Sequence, residues 1–578
     1  MDKRALHTEL FALLREWCDA LIGLQVDMPP QSALDGGILC PACGMIHGRC
    51  VDAVYPLLFM ADRTGEDRYR TAAERLFSWS SNMRCPDGSM RNDFKSPWRG
   101  VTVFYAVALH DALAFHGGVL SDRTREVWQT RLREMGEWLF THLTVGAKAY
   151  INYYAANACA MALLGCYFGK PEYHALAREL AAYCLRHVSE NGLLYGEGMP
   201  HDAHSAKGCR AIDAGGYNAE ETLPMLTRCA QVLSDANALA ACKKLWRAHL
   251  DWMTPDGAWD NSVGTRAFKW TYWGSRTSDG CQEALFSLGR DDAVFAEAAY
   301  RNFTLLRSCT HGGLLHGGRD CAAHGILPCV HHTFCHAKAI AGALNADAPA
   351  ISRVPLPADA PDALRYYPET DTYRLSCGDW RADVTAYDFP HRRGDHASGG
   401  ALSFLWHRVC GPIIACGMVD FALVETMNQQ LPPDENALCC PCPRIEVQKD
   451  GIRYAQHYDF GAVMTASTQD DRVQVRVCAK LCDAAHQPTE SSGQCTLHYT
   501  LTAEGLLIEG AVSSAYADSA RYILPVISPD ARVCLMRGSL ADSPSDGFCL
   551  SPGFACRAYC IGTDVSGRFA LCIRADAG

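Results

Sequence analysis

The feature that most constrains the fold is a loose repeat of helical hairpins over residues 1 to about 345. An apolar segment at 57–61 leads through a short polar turn into an amphipathic segment, and the same order recurs from 163–169. Turns containing Gly or Asp at 233–236 and 288–292 separate further pairs. Each unit is typical of an apolar helix, a turn and a helix with an acidic first turn, which the helix dipole favours.

This pattern predicts roughly twelve helices, or about six hairpins. Helical hairpins repeating at this interval close into a toroid or stack as a solenoid. In a toroid the loops at one end line a cavity, so long loops rich in aromatic and polar residues are the expected place for chemistry. Four such loops occur, at 84–100, 189–217, 254–280 and 309–332.

The helical pattern stops near Ala350, and a proline-containing segment follows. Beyond it, short stretches such as 473–477 and 506–510 alternate apolar and polar residues, with turn residues about every ten positions, as in a β-sandwich. The predicted architecture is therefore α+β and multidomain. It comprises an (α/α) toroid at 1–350, a linker at 351–365 and an antiparallel β-sandwich at 366–578.

Charge and length limit the possible partners. A chain of 578 residues is long enough for two or three domains. The formal net charge of −11 disfavours a nucleic-acid binder, which needs a basic surface to displace counterions. An anionic sugar remains possible, because a local cluster of basic and amide side chains can lie within an acidic protein.

The first predicted helix indicates where in the cell the protein is expected. Leu6, Leu10, Leu13 and Leu14 recur at helical spacing among charged residues, which indicates an amphipathic helix rather than a signal peptide. No apolar run is long enough to span a bilayer, so no membrane association is expected. We therefore expect a cytoplasmic protein whose thirty cysteines are reduced thiols, acting on imported oligosaccharide.

Three segments carry candidate catalytic residues. Asn152 begins an apolar helix, where the alternative role is a helix cap. His201 follows a Gly-rich loop that leads to Tyr217 in the first turn of a helix, where the alternative is a buried Tyr with a satisfied hydroxyl. His396 stands in a Gly394-Asp395 turn before the strand 402–404, where the alternative is a surface histidine.

These segments together resemble the heparinase II/III-like superfamily. The match rests on the His396 turn, the Leu402-Ser403-Phe404 strand, the Gly411-Pro412-Ile413-Ile414 stretch and the order Asn, His, Tyr, His along the chain. The resemblance implies a polysaccharide lyase in which Asn152, His201, Tyr217 and His396 are the functional residues.

The chemistry of such a lyase explains these residue types. β-Elimination removes the C5 proton of a uronate and expels the oxygen on C4, which requires neutralisation of the neighbouring carboxylate. The resemblance assigns Asn152 and His201 to the carboxylate, Tyr217 to proton transfer at the leaving oxygen or also at C5, and His396 to the partner base. The assignments of Tyr217 and His396 are interchangeable at this stage.

Other residues of the long loops are candidates for sugar binding. Aromatic faces stack on sugar rings, and Arg pairs with carboxylate or sulfate through two hydrogen bonds. The alternative for the tryptophans is core packing. The predicted substrate-binding residues are His47, Arg49, Trp98, Arg99, Glu197, Trp270, Trp273, Arg276, His331 and His332.

Two groups of residues have metal-binding chemistry. Cys40-x-x-Cys43, followed by His47 and Cys50, contains ligand types that zinc accepts. His332 lies one helical turn from His336, which zinc also accepts, but the resemblance favours substrate donors there. We therefore predict no cofactor, with a structural zinc as the alternative.

Two further functions remain open from the sequence. A glycoside hydrolase such as a glucuronidase needs two carboxylates, and the loops offer Glu197, Asp202, Glu220, Asp256, Asp260 and Asp279. A non-catalytic carbohydrate-binding protein is the second alternative. The sequence does not indicate the oligomeric state, the uronate or the mode of cleavage.

Overall fold

A computed structural model describes residues 1–29, 31–391, 396–420, 438–489, 493–540, 543–549 and 551–576. A helical region comes first and antiparallel sheets follow, as the sequence predicted. Gly394 and Asp395, two residues of the turn before His396, lie outside the described residues.

Twelve α-helices lie in the described part of the chain. They are α1 (Lys3–Gly23), α2 (Val54–Thr64), α3 (Asp67–Trp79), α4 (Thr102–His116), α5 (Asp122–His142), α6 (Ile151–Phe168), α7 (Pro171–Leu185), α8 (Leu223–Val232), α9 (Ala236–His249), α10 (Gln282–Leu288), α11 (Ala293–Ser308) and α12 (Val330–Asn345). The even-numbered helices form an inner ring in which each packs against the next and α12 returns to α2. Each odd-numbered helix packs on the outside, so six hairpins close into the predicted toroid.

Sequence patterns explain which helices are inner and which are outer. Nearly all residues of α4 and α6 are buried, because these helices are apolar on every face. In α5 the buried residues recur every three or four positions, including Trp128, Leu132 and Leu139, so only one face meets the core. The Ser121 side chain caps the start of α5 by accepting the N–H of Thr124.

The strands fall into a few groups. Two short hairpins lie within the helical region: β1 (Trp270–Thr271) with β2 (Gly274–Ser275), and β3 (Thr310–His311) with β4 (Leu314–Leu315). The later strands are β5 (Asp362–Tyr367), β6 (Thr372–Cys377), β7 (Trp380–Thr385), β8 (Ala401–His407), β9 (Gly411–Ala415), β10 (Arg444–Lys449), β11 (Ile452–Ala455), β12 (Val463–Gln469), β13 (Arg472–Lys480), β14 (Gln494–Thr502), β15 (Gly505–Val512), β16 (Arg521–Val526), β17 (Ala531–Arg537), β18 (Ser539–Leu540), β19 (Ser545–Cys549), β20 (Phe554–Gly562) and β21 (Arg568–Ala575).

The later strands form three antiparallel sheets around a shared apolar core. One sheet has the order β5-β6-β7-β8-β9, and β6 packs against β13 and β14 of a second sheet, β12-β13-β14-β15-β21-β17. The third sheet is β11-β10-β16-β20-β18, with β19 also paired to β20. In β13 buried and exposed residues alternate strictly, which is the period-two pattern seen in the sequence.

The sheets dock directly onto the toroid. Arg374 of β6 forms an ion pair of 3.1 Å with buried Asp260, and Ser262 Oγ donates a hydrogen bond of 3.1 Å to Ser403 Oγ of β8. Helix α12 ends at Asn345 and β5 begins at Asp362, so the change from helix to strand falls in and just before the segment predicted as a linker.

Two observations concern membranes and thiols. Among the described residues, every helix is too short or too polar to cross a bilayer.

All thirty cysteines lie in the described part of the chain, and none forms a disulfide.

Candidate active site

A cleft of about 730 Å³ opens where the first turns of α4, α6 and α12 converge. Helix N-termini carry partial positive charge, so this position favours an anionic ligand. The volume suits a short oligosaccharide segment. The lining residues are Arg49, Asn92, Asp93, Ser96, Trp98, Val101, Phe104, Lys148, Ala149, Tyr150, Asn152, Tyr153, Met199, Tyr217, Glu221, Arg266, Lys269, Thr277 and His331.

Asn152 lies in the first turn of α6 and reaches the cleft. Its Nδ2 donates a hydrogen bond of 2.5 Å to Glu221 Oε1, and its backbone N–H donates one of 3.2 Å to Glu197 Oε1. Its buried Oδ1 has no hydrogen-bond partner among the described residues. The alternative role as a helix cap is wrong, because Tyr150 occupies the N-cap position of α6 and Asn152 is the second residue of the helix.

Two buried carboxyl groups stand beside Asn152. Burial and the charge of Asp279 raise the pKa of Glu221 to about 8, although Arg49 and Asn152 oppose the shift. Burial also raises the pKa of Glu197 to about 7, against the opposing charge of Arg266. Glu221 therefore holds a proton at neutral pH and adds no negative charge that would repel an anion.

Tyr217 presents its hydroxyl to the same cleft. Lys269 Nζ donates a hydrogen bond of 3.1 Å to Tyr217 Oη, which also contacts the hydroxyl of Thr277. The guanidinium carbon of Arg266 lies 4.4 Å from the centre of the Tyr217 ring. Two cationic side chains therefore lie against this tyrosine. The alternative of a buried Tyr with a satisfied hydroxyl describes only part of this arrangement, since the residue also lines the cleft.

The backbone conformation before Tyr217 determines the direction of its side chain. Ala214–Thr222 forms a π-helical turn, and Asp213 Oδ2 accepts the N–H of Tyr217 at 2.7 Å. A Cβ on Gly215 would lie 2.1 Å from the carbonyl oxygen of Asp260, so only glycine fits there. Single π-helical turns occur often at functional sites. The Gly215-Gly216 pair is therefore part of how the chain positions Tyr217.

Cationic groups dominate the charge of the cleft. Lys148, Arg266 and Lys269 line it together with Arg49. Arg266 stacks against the Tyr150 ring with 4.5 Å between its guanidinium carbon and the ring centre, and it also pairs with Glu197 at 3.2 Å. This arrangement provides positive charge for an anionic polymer within a protein of net charge −11.

Three of the predicted substrate-binding residues line the cleft. Trp98 is 45% exposed, and its Nε1 donates a hydrogen bond of 3.1 Å to Tyr153 Oη, which restrains the indole ring. Arg49 lies beneath the cleft, paired with Asp52 at 2.8 Å and with Asp279. Both ring nitrogens of buried His331 have no hydrogen-bond partner among the described residues.

Two predicted catalytic histidines do not reach the cleft. His201 donates through Nε2 to the carbonyl of Ala149 at 2.8 Å and pairs through Nδ1 with Tyr183 Oη at 2.9 Å. Buried His396 contacts the backbone carbonyls of Phe389 at 2.9 Å and Ala397 at 3.2 Å. Neither histidine is among the residues that line the cleft, so the structure does not bring them together with Asn152 and Tyr217 there, as the sequence had led us to expect.

Four further predicted residues lie in the core instead of the cleft. The indole N–H groups of Trp270 and Trp273 each donate to a backbone carbonyl at 2.7 Å. Arg276 donates to the carbonyl of Phe268, and fully buried His332 contacts that of Leu315 at 3.3 Å. Trp270 and Trp273 belong to the β1–β2 hairpin and are buried, so the core-packing alternative holds for both tryptophans.

The last three predicted residues also lie off the cleft surface. Arg99 points to solvent and pairs with Asp87. Glu197 is completely buried behind Asn152. His47 lies within a cluster of cysteines, with its Nε2 3.6 Å from the Sγ of Cys329.

Sequence reasoning missed several residues of the cleft. Arg266 occupies one of the four long loops singled out from the sequence, and its basic character was the available signal. Glu221 follows Tyr217 by one helical turn. His391 is not among the lining residues, but its ring centre lies 6.0 Å from that of the cleft residue Tyr150.

Structural comparison gives the class of protein. The fold is similar to a heparinase III, with a TM-score of 0.50 at 10% identity over 97% of this chain and 83% of that chain. It is also similar to the chondroitin AC lyase of Streptomyces coelicolor A3, with a TM-score of 0.54 at 13% identity over 99% and 80% of the two chains. These likenesses define the fold as that of toroid polysaccharide lyases.

Sequence comparison gives the family. The Ulvan lyase N-terminal domain model matches residues 14–357 and the Ulvan lyase C-terminal domain model matches residues 364–536. A broad-specificity ulvan lyase of Formosa agariphila is 35% identical over 529 residues, which cover 90% of this chain and 82% of that protein. The chain belongs to the ulvan lyase family and is a polysaccharide lyase. Its fold is similar to that of the heparinase-like lyases that the motifs indicated.

Proposed function

We propose that the protein cleaves a uronate-containing acidic polysaccharide of the ulvan type by β-elimination in the described cleft. The observation that carries the proposal is that Asn152 and Tyr217 line one cleft, with Lys269 hydrogen-bonded to the Tyr217 hydroxyl. The named activity of the Formosa relative supports the choice of substrate.

Asn152 and Glu221 neutralise the substrate carboxylate in this proposal. The amide of Asn152 and the protonated carboxyl of Glu221 lie side by side, and each can donate a hydrogen bond to a carboxylate oxygen. Donors placed where negative charge develops lower the barrier to removal of the C5 proton. This pair replaces the predicted pair of Asn152 and His201.

Tyr217 transfers the proton. Its phenolate oxygen takes the C5 proton, the electrons of the C5–H bond form the C4=C5 double bond, and the C4–O bond breaks. The same hydroxyl then returns its proton to the departing oxygen, so Tyr217 ends the cycle as it began. Lys269 and Arg266 stabilise the phenolate, since both cations lie against this residue. His396 has no part in this scheme because it is not among the residues that line the cleft.

The wall residues bind the sugar chain. The exposed face of Trp98 stacks on a sugar ring, and Lys148 binds an acidic substituent such as a carboxylate or sulfate. His331 offers two unpartnered ring nitrogens to substrate hydroxyl groups.

The two other functions left open by the sequence find less support. Membership of a lyase family favours elimination over hydrolysis and over binding alone. Hydrolysis also requires two carboxyl groups that flank one bond, whereas Glu197 is buried behind Asn152. Cytoplasmic action on short chains stays a prediction.

Incubation with ulvan oligosaccharides tests this function. Elimination gives an unsaturated uronate that absorbs in the ultraviolet, and the two products together have the mass of the substrate. Hydrolysis instead adds the mass of one water. Tyr217→Phe removes the reacting hydroxyl and should lower kcat by about 10²- to 10⁴-fold while oligosaccharide binding persists. Tyr366→Phe, at an exposed tyrosine of β5, is the matched control. Parental turnover by Tyr217→Phe would overturn the assignment.

A further inference from the structure

Four side chains with zinc-ligand chemistry meet beside the cleft. Cys40, Cys43, His47 and Cys329 place one ligand atom each so that all four atoms lie within 4.8 Å of one another. Cys329 comes from the start of α12, almost three hundred residues along the chain from the others. Only the fold brings it to them.

The distances in this cluster match a tetrahedral zinc site. Zn–S and Zn–N bonds of about 2.3 and 2.0 Å give tetrahedral edges of roughly 3.8 Å between two sulfurs and 3.6 Å between sulfur and nitrogen. The Sγ atoms of Cys40 and Cys329 are 3.7 Å apart, and Cys329 Sγ lies 3.6 Å from His47 Nε2. A disulfide requires about 2.05 Å, so the two cysteines are not bonded to each other.

Burial makes the cluster a closed site. Cys40 and Cys329 are fully buried, His47 is 2% exposed, and Cys43 is partly exposed at the surface. Four protein ligands leave no open coordination position, which is typical of structural zinc rather than catalytic zinc.

We propose that Cys40, Cys43, His47 through Nε2, and Cys329 bind one structural Zn²⁺. The sequence pattern suggested Cys50 as the fourth residue. Cys50 lies outside the cluster, and Cys329 takes that place.

The metal would fix one wall of the cleft. His47 directly precedes the 3-10 helix Gly48–Ala53, which contains Arg49, and Cys329 precedes His331 by two residues. Both Arg49 and His331 line the cleft. Helix α12 also packs on α1 and α2 where the ring closes, so the ion would join the two ends of the toroid.

Two other clusters of potential ligands fit a metal less well. Asp52 and Asp279 lie near Cys335, but the Lys338 ammonium contacts these carboxylates at 2.8 and 3.1 Å and already supplies a positive charge. In the sandwich, Cys439 lies 2.9 Å from Cys556 and 3.5 Å from Cys549, which is shorter than a tetrahedral sulfur edge. Within the described part of the chain, the cluster of Cys40, Cys43, His47 and Cys329 is therefore the one that fits zinc.

Metal analysis of the purified full-length chain tests the proposal. The parent chain and Cys50→Ser, the matched control at a buried cysteine outside the cluster, should each hold about one zinc. Cys329→Ser should lose it to a chelator more than about tenfold faster, with a lower Tm. Reconstitution with Co²⁺ should give the intense thiolate-to-metal absorption of a tetrahedral site in the parent and not in the variant.

A second variant covers the case in which Cys329→Ser does not fold. Cys43 is partly exposed, so Cys43→Ser disturbs packing less and should show the same loss of metal. The proposal fails if the parent chain, produced with zinc in the medium, contains none and gives no thiolate absorption with Co²⁺. It also fails if both ligand variants retain zinc like Cys50→Ser.

Discussion

Asn152 donates a hydrogen bond of 2.5 Å from its Nδ2 to Oε1 of Glu221, and both residues line the cleft. The contact orients the amide and places a carboxyl group beside it. Because burial raises the pKa of Glu221 to about 8, this carboxyl group is protonated at neutral pH. The pair can then bind an anion without repulsion, and this property should depend on pH.

Substrate affinity should weaken as the pH rises through about 8. Below this pH Glu221 is neutral, and above it the carboxylate faces the uronate, so KM should rise by up to about tenfold per pH unit. Asp279, Arg49 and Glu197 are the charged groups that act on it. Glu221→Gln keeps an uncharged side chain and should remove the alkaline rise in KM, which steady-state kinetics between pH 6 and about 9.5 would measure.

Glu197 provides the control for this experiment. Its pKa of about 7 also follows from burial, but its carboxylate is paired with Arg266. Glu197→Gln should therefore leave the rise in KM near pH 8 in place. If Glu221→Gln shows the same rise as the parent chain, another group is responsible.

Loss of the Asn152 amide should reduce catalysis. Asn152→Ala removes a donor to the substrate carboxylate, and kcat/KM should fall by about 10²- to 10³-fold. Asn157→Ala is the control on the same helix, because the Asn157 Nδ2 donates to the carbonyl of Leu143 at 2.7 Å, away from the cleft. That variant should lower Tm while each folded molecule keeps its turnover. Similar kcat/KM values for the two variants would contradict the role of Asn152.

The sequence predicted the fold well because the fold depends on repeated local patterns. Apolar helices alternate with amphipathic ones, as in α4 and α5. In β13 buried and exposed residues alternate strictly, which is typical of a strand in a β-sandwich. Asn152 and Tyr217, which line the cleft, were also named from the sequence, through the order Asn, His, Tyr, His that resembles the lyase family.

The remaining site residues depend on long-range packing that local sequence does not reveal. Trp98 and Trp273 occur in similar aromatic loops, but one is 45% exposed and the other is fully buried. The difference arises because the Trp273 indole meets the carbonyl of His316. In the same way, Cys329 joins Cys40 only through closure of the ring.

Trp98 should affect binding more than turnover. Its exposed indole face is the proposed stacking surface, so Trp98→Ala should raise KM by roughly tenfold, with kcat changed little. Phe115→Ala, at an aromatic residue 52% exposed at the end of α4, is the control and should leave KM unchanged. Kinetics on oligosaccharides of increasing length would measure both. A parental KM for Trp98→Ala would exclude stacking there.

Lys269 should affect turnover more than binding. Its ammonium group lies 3.1 Å from Tyr217 Oη, and loss of this donor leaves the phenolate less stabilised. Lys269→Met should lower kcat by about a hundredfold, measured by ultraviolet absorbance of the product. Lys243→Met, which breaks a surface ion pair of 2.9 Å with Asp291, is the control and should keep parental kcat. Equal kcat values for Lys269→Met and Lys243→Met would show that the Lys269 ammonium group is not required.

Catalysis should also depend on the backbone at Gly215, which positions the Tyr217 hydroxyl. A Cβ at Gly215 would lie 2.1 Å from the Asp260 carbonyl oxygen, so Gly215→Ala must displace the turn that aims Tyr217. We expect kcat to fall by at least about tenfold, since small displacements of a reacting group are costly. Gly118→Ala is the control, because a Cβ there has no neighbour within 4 Å. Circular dichroism should show both variants folded, so the difference in kcat reports on the position of Tyr217. Parental kcat in a folded Gly215→Ala variant would show that the turn tolerates the methyl group and does not control the tyrosine.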